Sequence, residues 1–320
     1  MVRRLVLILL VVGIAVGGYY AWSWLHVPPE ETQGPPEEQP YYEAPPPRRV
    51  AGIELVQHEL AGALAVAPGQ GFPGTVPWQP LDHVAASKSF LVEKLVHEDP
   101  LRFLELCAER YGSDVKGYNL LFVKKERVKG KLHPPKKDEY EIIKVAFRER
   151  PFSVLFVWKE NPRTKIAGKA LYVEGENGNK ILGRAKLLPI IREYDLDSAD
   201  ARDNGRYTMA EFGIGKGIHR TVKAMEKAKA RDKLFLRYEG QVVLKEAGDR
   251  PCYKFVRTPY DPPEDDDGVY ELTTYIDCET WLQVGSILYD SSGQLLAEYF
   301  FRDIELNPDF PLKQFTRGAL

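Results

Sequence analysis

The chain has 320 residues and a formal net charge of −2, from 44 Lys and Arg against 46 Asp and Glu, so no global basic excess points to nucleic acid. A hydrophobic share of 44% and an aromatic share of 11% suffice for a sizeable core, in one large domain or two small ones. Three cysteines, Cys107, Cys252 and Cys278, are too few for a disulfide scaffold and include no Cys-x-x-Cys metal or redox pair.

Arg3 and Arg4 precede Leu5–Leu25, a run without a charge. At about 1.5 Å per residue a helix of this length crosses the roughly 30 Å hydrocarbon layer. Tyr19, Tyr20, Trp22 and Trp24 crowd its far end, where aromatic residues sit well at a membrane interface. The two arginines should stay cytoplasmic, which sends the bulk of the chain into the periplasm or extracytoplasmic space. Residues 1–26 are therefore expected to be a single-pass anchor in the cytoplasmic membrane. The alternative is a signal peptide cleaved near Ala15-Val16-Gly17, with secretion; the aromatic belt beyond that site favours the anchor.

Residues 27–80 are expected to be linker. Eight prolines and five glutamates fall within Val27–Arg49, which makes an extended, semi-rigid spacer of about 60 Å. Pro68, Gly69, Gly71, Pro73 and Gly74 then break the approach to a single domain over 81–320.

Leu81–Asp114 predicts two helices, with the chain reset at His97-Glu98-Asp99-Pro100. Tyr118–Val128 opens a sheet, and Lys129–Lys137 is a basic loop. Four strands follow: Tyr140–Arg148, Phe152–Trp158, Lys169–Glu174 and Lys180–Lys186. The second carries Phe152, Val154, Phe156 and Trp158 at period two, with Ser153, Leu155 and Val157 between, so both its faces want cover. Asn177-Gly178 signals a tight type I′ turn. Leu187–Asn204 reads as irregular. Thr208-Met-Ala-Glu211 has capping-box spacing and predicts a helix start. Leu234–Lys245, Cys252–Arg257, Val269–Cys278, Trp281–Tyr289 and Leu295–Leu306 complete about ten strands. The fold class is α+β: a large curved antiparallel sheet, an unclosed barrel, covered by helices and preceded by one transmembrane helix.

Several motifs look familiar together. They are Asp114-Val-Lys-Gly-Tyr118, Phe122-Val-Lys-Lys-Glu126-Arg127, Arg150-Pro151-Phe152-Ser153-Val154 and Tyr172-Val-Glu-Gly175. Arg206-Tyr207-Thr-Met-Ala-Glu211-Phe-Gly213, Glu298-Tyr299 and Leu306-Asn307-Pro308 continue the set. From about Pro100 to Phe315 the chain resembles the bacterial domain-of-unknown-function family fifteen-seventy-one, which implies no activity and no catalytic residue. The strand order also resembles Lol-type periplasmic lipoprotein carrier and receptor domains. That likeness implies an apolar inner face able to hold acyl chains.

No Gly-x-Ser-x-Gly, His-Glu-x-x-His, Walker or Rossmann pattern is present, so no enzyme and no cofactor are expected. Gly213-x-Gly215-Lys216-Gly217 only superficially resembles a phosphate loop. His219 reads as a solvated helix residue. The acidic run Asp261–Gly268 misses EF-hand spacing, so no metal site is assigned. The basic residues of Lys124–Lys137, and Arg220, Lys223 and Lys227, suit either lipid head groups or plain solvated faces. Phe147, Phe156, Trp158, Tyr172, Phe235 and Tyr275 are the candidate ligand-lining residues, against ordinary core packing. Cys252 and Cys278 come opposite each other if the hairpin between their strands is centred on Asp265. A disulfide is then expected in an oxidising compartment, unless the register slips by one.

The functional expectation is a membrane-tethered, non-catalytic domain binding an acyl chain, lipid or lipoprotein. An envelope scaffold or sensor for a protein partner or cell-wall polymer is the alternative. A converging polar set such as Arg148, Arg150 and Glu174 would instead favour an enzyme.

Overall fold

The computed structural model describes residues 83–163, 167–187, 190–260 and 267–320. The run Leu5–Leu25, the linker and the acidic positions 261–266 lie outside them. Among the described residues, no helix is long and apolar enough to cross a membrane.

Two helices open the domain, α1 (His83–Glu98) and α2 (Pro100–Asp114). The reset between them is a cap: the Asp99 carboxylate accepts the Arg102 N–H at 3.0 Å, and Pro100 has no N–H to leave unsatisfied. Leu101, Phe103, Leu104, Cys107 and Ala108 bury one face of α2.

The strands are β1 (Gly117–Val128), β2 (Lys131–His133), β3 (Glu141–Arg148), β4 (Ser153–Glu160), β5 (Ala167–Val173), β6 (Ile181–Ala185) and β7 (Ile191–Tyr194). After α3 (Ala199–Arg202) and α4 (Ile214–Lys229) come β8 (Leu236–Leu244), β9 (Arg250–Arg257), β10 (Glu271–Asp277), β11 (Gln283–Tyr289) and β12 (Leu295–Leu306). They form one 12-stranded sheet in the order β7-β6-β5-β4-β3-β1-β12-β11-β10-β9-β8, with β2 paired to β1. Every pairing is antiparallel, and β1 joins the two meanders through β3 and β12. Among the described residues β7 and β8 each have one partner only, so the sheet is unclosed. Register shifts at Asn119/Leu121, Ile142/Ile143, Tyr238/Gln241 and Tyr275/Ile276 mark bulges, which bend strands and increase twist.

Directly opposed residues share a face, so the register sorts the side chains. Tyr118, Leu120 and Phe122 of β1 oppose Phe147, Val145 and Ile143 of β3, which oppose Val154, Phe156 and Trp158 of β4. This is the inner face. Beside it, α2 and α4 pack on Tyr253, Phe255, Leu272, Ile276 and Leu288. The outer face of β3–β6 carries Ala146, Leu155, Leu171, Val173 and Leu182, and the segment after β12 covers it with Phe310, Phe315 and Leu320. One of the two covers that the Phe152–Trp158 pattern demands thus comes from the C-terminal segment. Asn307 fixes the start of the covering segment. At φ 51° its side-chain oxygen accepts the Lys116 and Gly117 N–H groups at 2.7 and 3.3 Å, and its amide donates to the Asp114 carbonyl at 2.8 Å.

Four expectations need correction. Leu187–Asn204 is not irregular throughout: it supplies the edge strand β7 and the short helix α3. The Thr208–Glu211 capping box is present but closes a single 3-10 turn, Met209–Glu211, and α4 begins only at Ile214. The Asn177-Gly178 turn extends through Asn179, with three consecutive left-handed residues at φ 53°, 65° and 58°. The disulfide is absent. Cys252 stands opposite Asp277, one residue short of the expected register. With a side-chain period of two, Cys252 joins the cluster holding Leu244 and Tyr275, and Cys278 leans into the cluster beneath the helices.

Candidate ligand chamber

The helices do not cover the whole inner face. A chamber of about 650 Å³ remains between the strands around β4 and the segment that runs from β7 to α4. Its floor is Phe122, Ile143, Phe156, Trp158, Ala170 and Ile181. Phe212, Ile214 and Thr221 line it from the α4 side, Leu288, Tyr299 and Phe301 from the β11–β12 side, and Arg192 and Tyr194 from β7. The walls are dominated by aromatic and aliphatic carbon.

Phe212 divides filled core from open chamber. Its ring meets Phe122 at 5.2 Å, Phe156 at 4.9 Å, Phe301 at 6.0 Å and Phe147 at 6.2 Å, each edge to face. Beyond it the inner face is solid. Phe147 stacks on Tyr118 at 4.5 Å, and Tyr118 accepts the Ile214 N–H at 3.1 Å. The glycines that resemble a phosphate loop serve this contact. A Cβ at Gly213 would lie 3.2 Å from both Phe147 and the Tyr118 hydroxyl, and one at Gly215 would lie 2.2 Å from the Tyr111 ring. Glycine lets the start of α4 press onto three aromatic rings, which accounts for Gly213 and Gly215 without a phosphate.

Of the six candidate lining residues, Phe156 and Trp158 border the chamber. Phe147 and Tyr172 share their face but are buried in the solid part; Tyr172 packs on Phe152 at 5.9 Å and donates to the Asn179 side chain at 2.8 Å. Tyr275 is on the other face of the sheet, where a Cβ added at Gly285 would meet Tyr275, Leu244 and Phe300, each at 3.0 Å. Phe235 lies just before β8 and is 54% exposed. The residues missed are Phe122, Ile143, Ala170 and Phe212. For the first three the signal is period two on β1, β3 and β5, readable only once the register places them beside Phe156; Phe212 follows the 3-10 turn Met209–Glu211 and carries no strand signal.

An ionic network borders the same space. Lys124 Nζ lies 2.5 Å from Glu126 Oε1 and 3.3 Å from Glu141 Oε2, with all three side chains almost wholly buried. Glu126 Oε2 accepts the Tyr299 hydroxyl at 2.8 Å and the Arg206 N–H at 3.2 Å. Glu141 Oε1 accepts the Trp158 indole N–H at 2.6 Å and the Arg163 N–H at 3.2 Å. Burial opposes the charge on Glu126, but Lys124, Tyr299 and the Arg206 amide outweigh it and hold the carboxyl below its ordinary range. Burial also opposes the charge on Lys124, and its two carboxylates carry the ammonium up to about 12. Arg220 stacks 3.8 Å from the centre of the Tyr207 ring at the edge of the site. Three separate sequence motifs, Phe122–Arg127, Arg206–Gly213 and Glu298-Tyr299, therefore meet at one network.

Of the basic run, Lys129, Lys131, Lys136 and Lys137 are exposed, and Lys125 on β1 departs from a solvated face. Lys125 is 2% exposed, donates to the Lys136 carbonyl at 2.7 Å and lies 4.9 Å from the Tyr140 ring centre. His219 is exposed, as expected. Arg148, Arg150 and Glu174 do not converge: Arg148 donates to Ser153 at 3.0 Å, while Arg150 and Glu174 are exposed. Among the described residues, no group of three His, Cys, Asp or Glu side chains is placed to hold a metal ion.

The family model described as "Protein of unknown function (DUF1571)" matches residues 115–318. No curated protein matches the sequence. Among solved structures, the Pseudomonas aeruginosa MucA/MucB complex contains a chain 17% identical, with 69% of this chain and 62% of that chain covered and a TM-score of 0.40. The Mycobacterium tuberculosis lipoprotein LppX is 12% identical, with 67% and 99% covered and a TM-score of 0.38. A LolA-superfamily protein of Nitrosomonas europaea is 11% identical, with 68% and 98% covered and a TM-score of 0.28.

Proposed function

The chain belongs to the DUF1571 family of proteins of unknown function, and we propose that it is a non-catalytic binding domain that holds an acyl chain in the inner chamber. The acyl chain belongs to a lipid or a lipoprotein. The observation that carries this reading is the chamber itself. About 650 Å³ falls within the roughly 300–1,000 Å³ range of small-ligand sites, and a cavity walled by Phe122, Ile143, Phe156 and Phe212 suits hydrocarbon.

The ionisable groups beside the chamber support binding over catalysis. A general acid or base works best with a pKa near the working pH. Lys124 is carried upward and Glu126 downward, and each is already bonded to the other and to fixed neighbours. The proposal extends to location. The uncharged run Leu5–Leu25 behind Arg3 and Arg4 would tether the chamber outside the cytoplasmic membrane. A reporter fused after residue 60 that is active only in the cytoplasm would contradict that part.

Native mass spectrometry and lipid extraction of purified protein test the binding. A stoichiometric co-purifying lipid, or uptake of a fatty acid by the stripped protein, is the expected result. No lipid and no uptake would overturn the reading.

A further inference from the structure

One stretch of the chamber wall is polar. Where β11 passes beneath α4, Gln283, Ser286 and Thr221 line it in place of hydrocarbon. Gln283 is 6% exposed, and its side-chain nitrogen donates to the Ser286 hydroxyl at 2.7 Å. Among the described residues its Oε1 has no hydrogen-bond partner. Thr274 of β10 stands opposite Ser286, so the two share a face. Its side chain is buried, and its hydroxyl also has no partner among the described residues. Gly217 of α4 keeps the space over Gln283 open, since a Cβ there would lie 3.7 Å from Oε1 and near nothing else. Buried polar atoms are nearly always paired, so two orphans beside one chamber-lining serine call for a reason.

We propose that this stretch is a hydroxyl subsite, and that the ligand of the chamber is an acyl chain carrying a neutral hydroxyl group. The inference rests on the acyl-binding reading and narrows it. A purely hydrocarbon chain that fills the chamber displaces water and leaves Gln283 Oε1 unpaired, which costs affinity. A hydroxyl donates to that oxygen and keeps lone pairs for a donor such as the Thr221 hydroxyl. A carboxylate fits poorly, because it only accepts and would face another acceptor. The hydroxyl has two possible sources, the acyl chain itself or a glycerol head group, and both present the same chemistry to Gln283.

The test offers the delipidated full chain in detergent an equimolar mixture of palmitic acid, omega-hydroxypalmitic acid and monopalmitoylglycerol. Native mass spectrometry reads the three adducts side by side, because their masses differ. The same mixture is offered to Gln283→Leu, which removes the orphan oxygen at similar volume and meets the same free ligand concentrations. The ratio of a hydroxylated adduct to the palmitic acid adduct should fall about tenfold in Gln283→Leu, the worth of one hydrogen bond. Whichever hydroxylated ligand shows the fall names the source of the hydroxyl. Should circular dichroism show Gln283→Leu unfolded, Thr274→Val removes the second orphan without a change of shape, and the same ratio should fall. Ratios identical in the unaltered and altered proteins overturn the proposal, with a water then satisfying Gln283. Palmitic acid adducts with unchanged ratios sink only the hydroxyl subsite, whereas no adduct of any of the three sinks the acyl-binding reading and the subsite with it.

Discussion

Glu126 is the residue on which most depends at the edge of the chamber. Its carboxyl lies below the ordinary 4.5 in the folded chain, so its contribution to stability is present above about that pH. The contribution is lost as pH falls through the lower, folded value. Denaturant midpoints should therefore drop on acidification below about 4.5. Glu126→Gln should cost about 2 kcal/mol near neutral pH, because a buried group loses its charged partner, and its acid limb should be flatter. An acid limb identical to that of the unaltered protein would contradict the assignment. Lys124 works in the opposite sense. Its contribution is complete below the ordinary 10.5 and is lost as pH rises through about 12. A second expectation concerns sulfur: thiol counting on denatured, unreduced protein should find three free thiols, and a count of one would restore a bridge. At this scale the sequence was informative about residue type and less so about direction. Period two on Phe152–Trp158 placed Phe156 and Trp158 correctly on one face. It could not say that Tyr275, with the same periodicity on β10, faces away from the chamber. That depends on pairings set by bulges, such as the shift between Tyr275 and Ile276.

The elements with strong local patterns emerged at nearly the expected places, and those with weak patterns did not. Strand β7 has only four residues, Ile191–Tyr194, half of them charged, so tertiary pairing to β6 decides its structure more than propensity does. The start of α4 was displaced because its glycines are spent on contact with Tyr111 and Tyr118, a contact that no local signal reveals. The segment after β12 is a third case. It looks like a tail, yet Phe315 is 5% exposed, meets Phe310 at 4.9 Å and carries Arg148 4.8 Å above its ring. Phe315→Ala should destabilise the domain by roughly 3 kcal/mol, as for other buried aromatic truncations. A melting midpoint that does not move would show the segment to be dispensable cover.

The whole molecule is organised by β1, which joins two meanders that sequence alone shows as separate runs. The pairing of β1 with β12 spans most of the domain, Tyr118 opposite Leu306, and only that closure creates a common inner face. Helices α2 and α4 fill one side of this face, Phe212 ends the filled part, and the remainder is the chamber. The account therefore turns on whether that space takes up hydrocarbon. Ala170 stands on its floor opposite Phe156, where a larger side chain projects into the space. Ala170→Phe should fold, at an overpacking cost of about 1–3 kcal/mol. The most direct measurement titrates a fluorescent fatty acid into the stripped protein and into Ala170→Phe, with circular dichroism confirming that both are folded. Saturable uptake at one site by the unaltered protein, lost in the filled variant, is the expected result; no uptake by either, or equal uptake by both, would contradict the account.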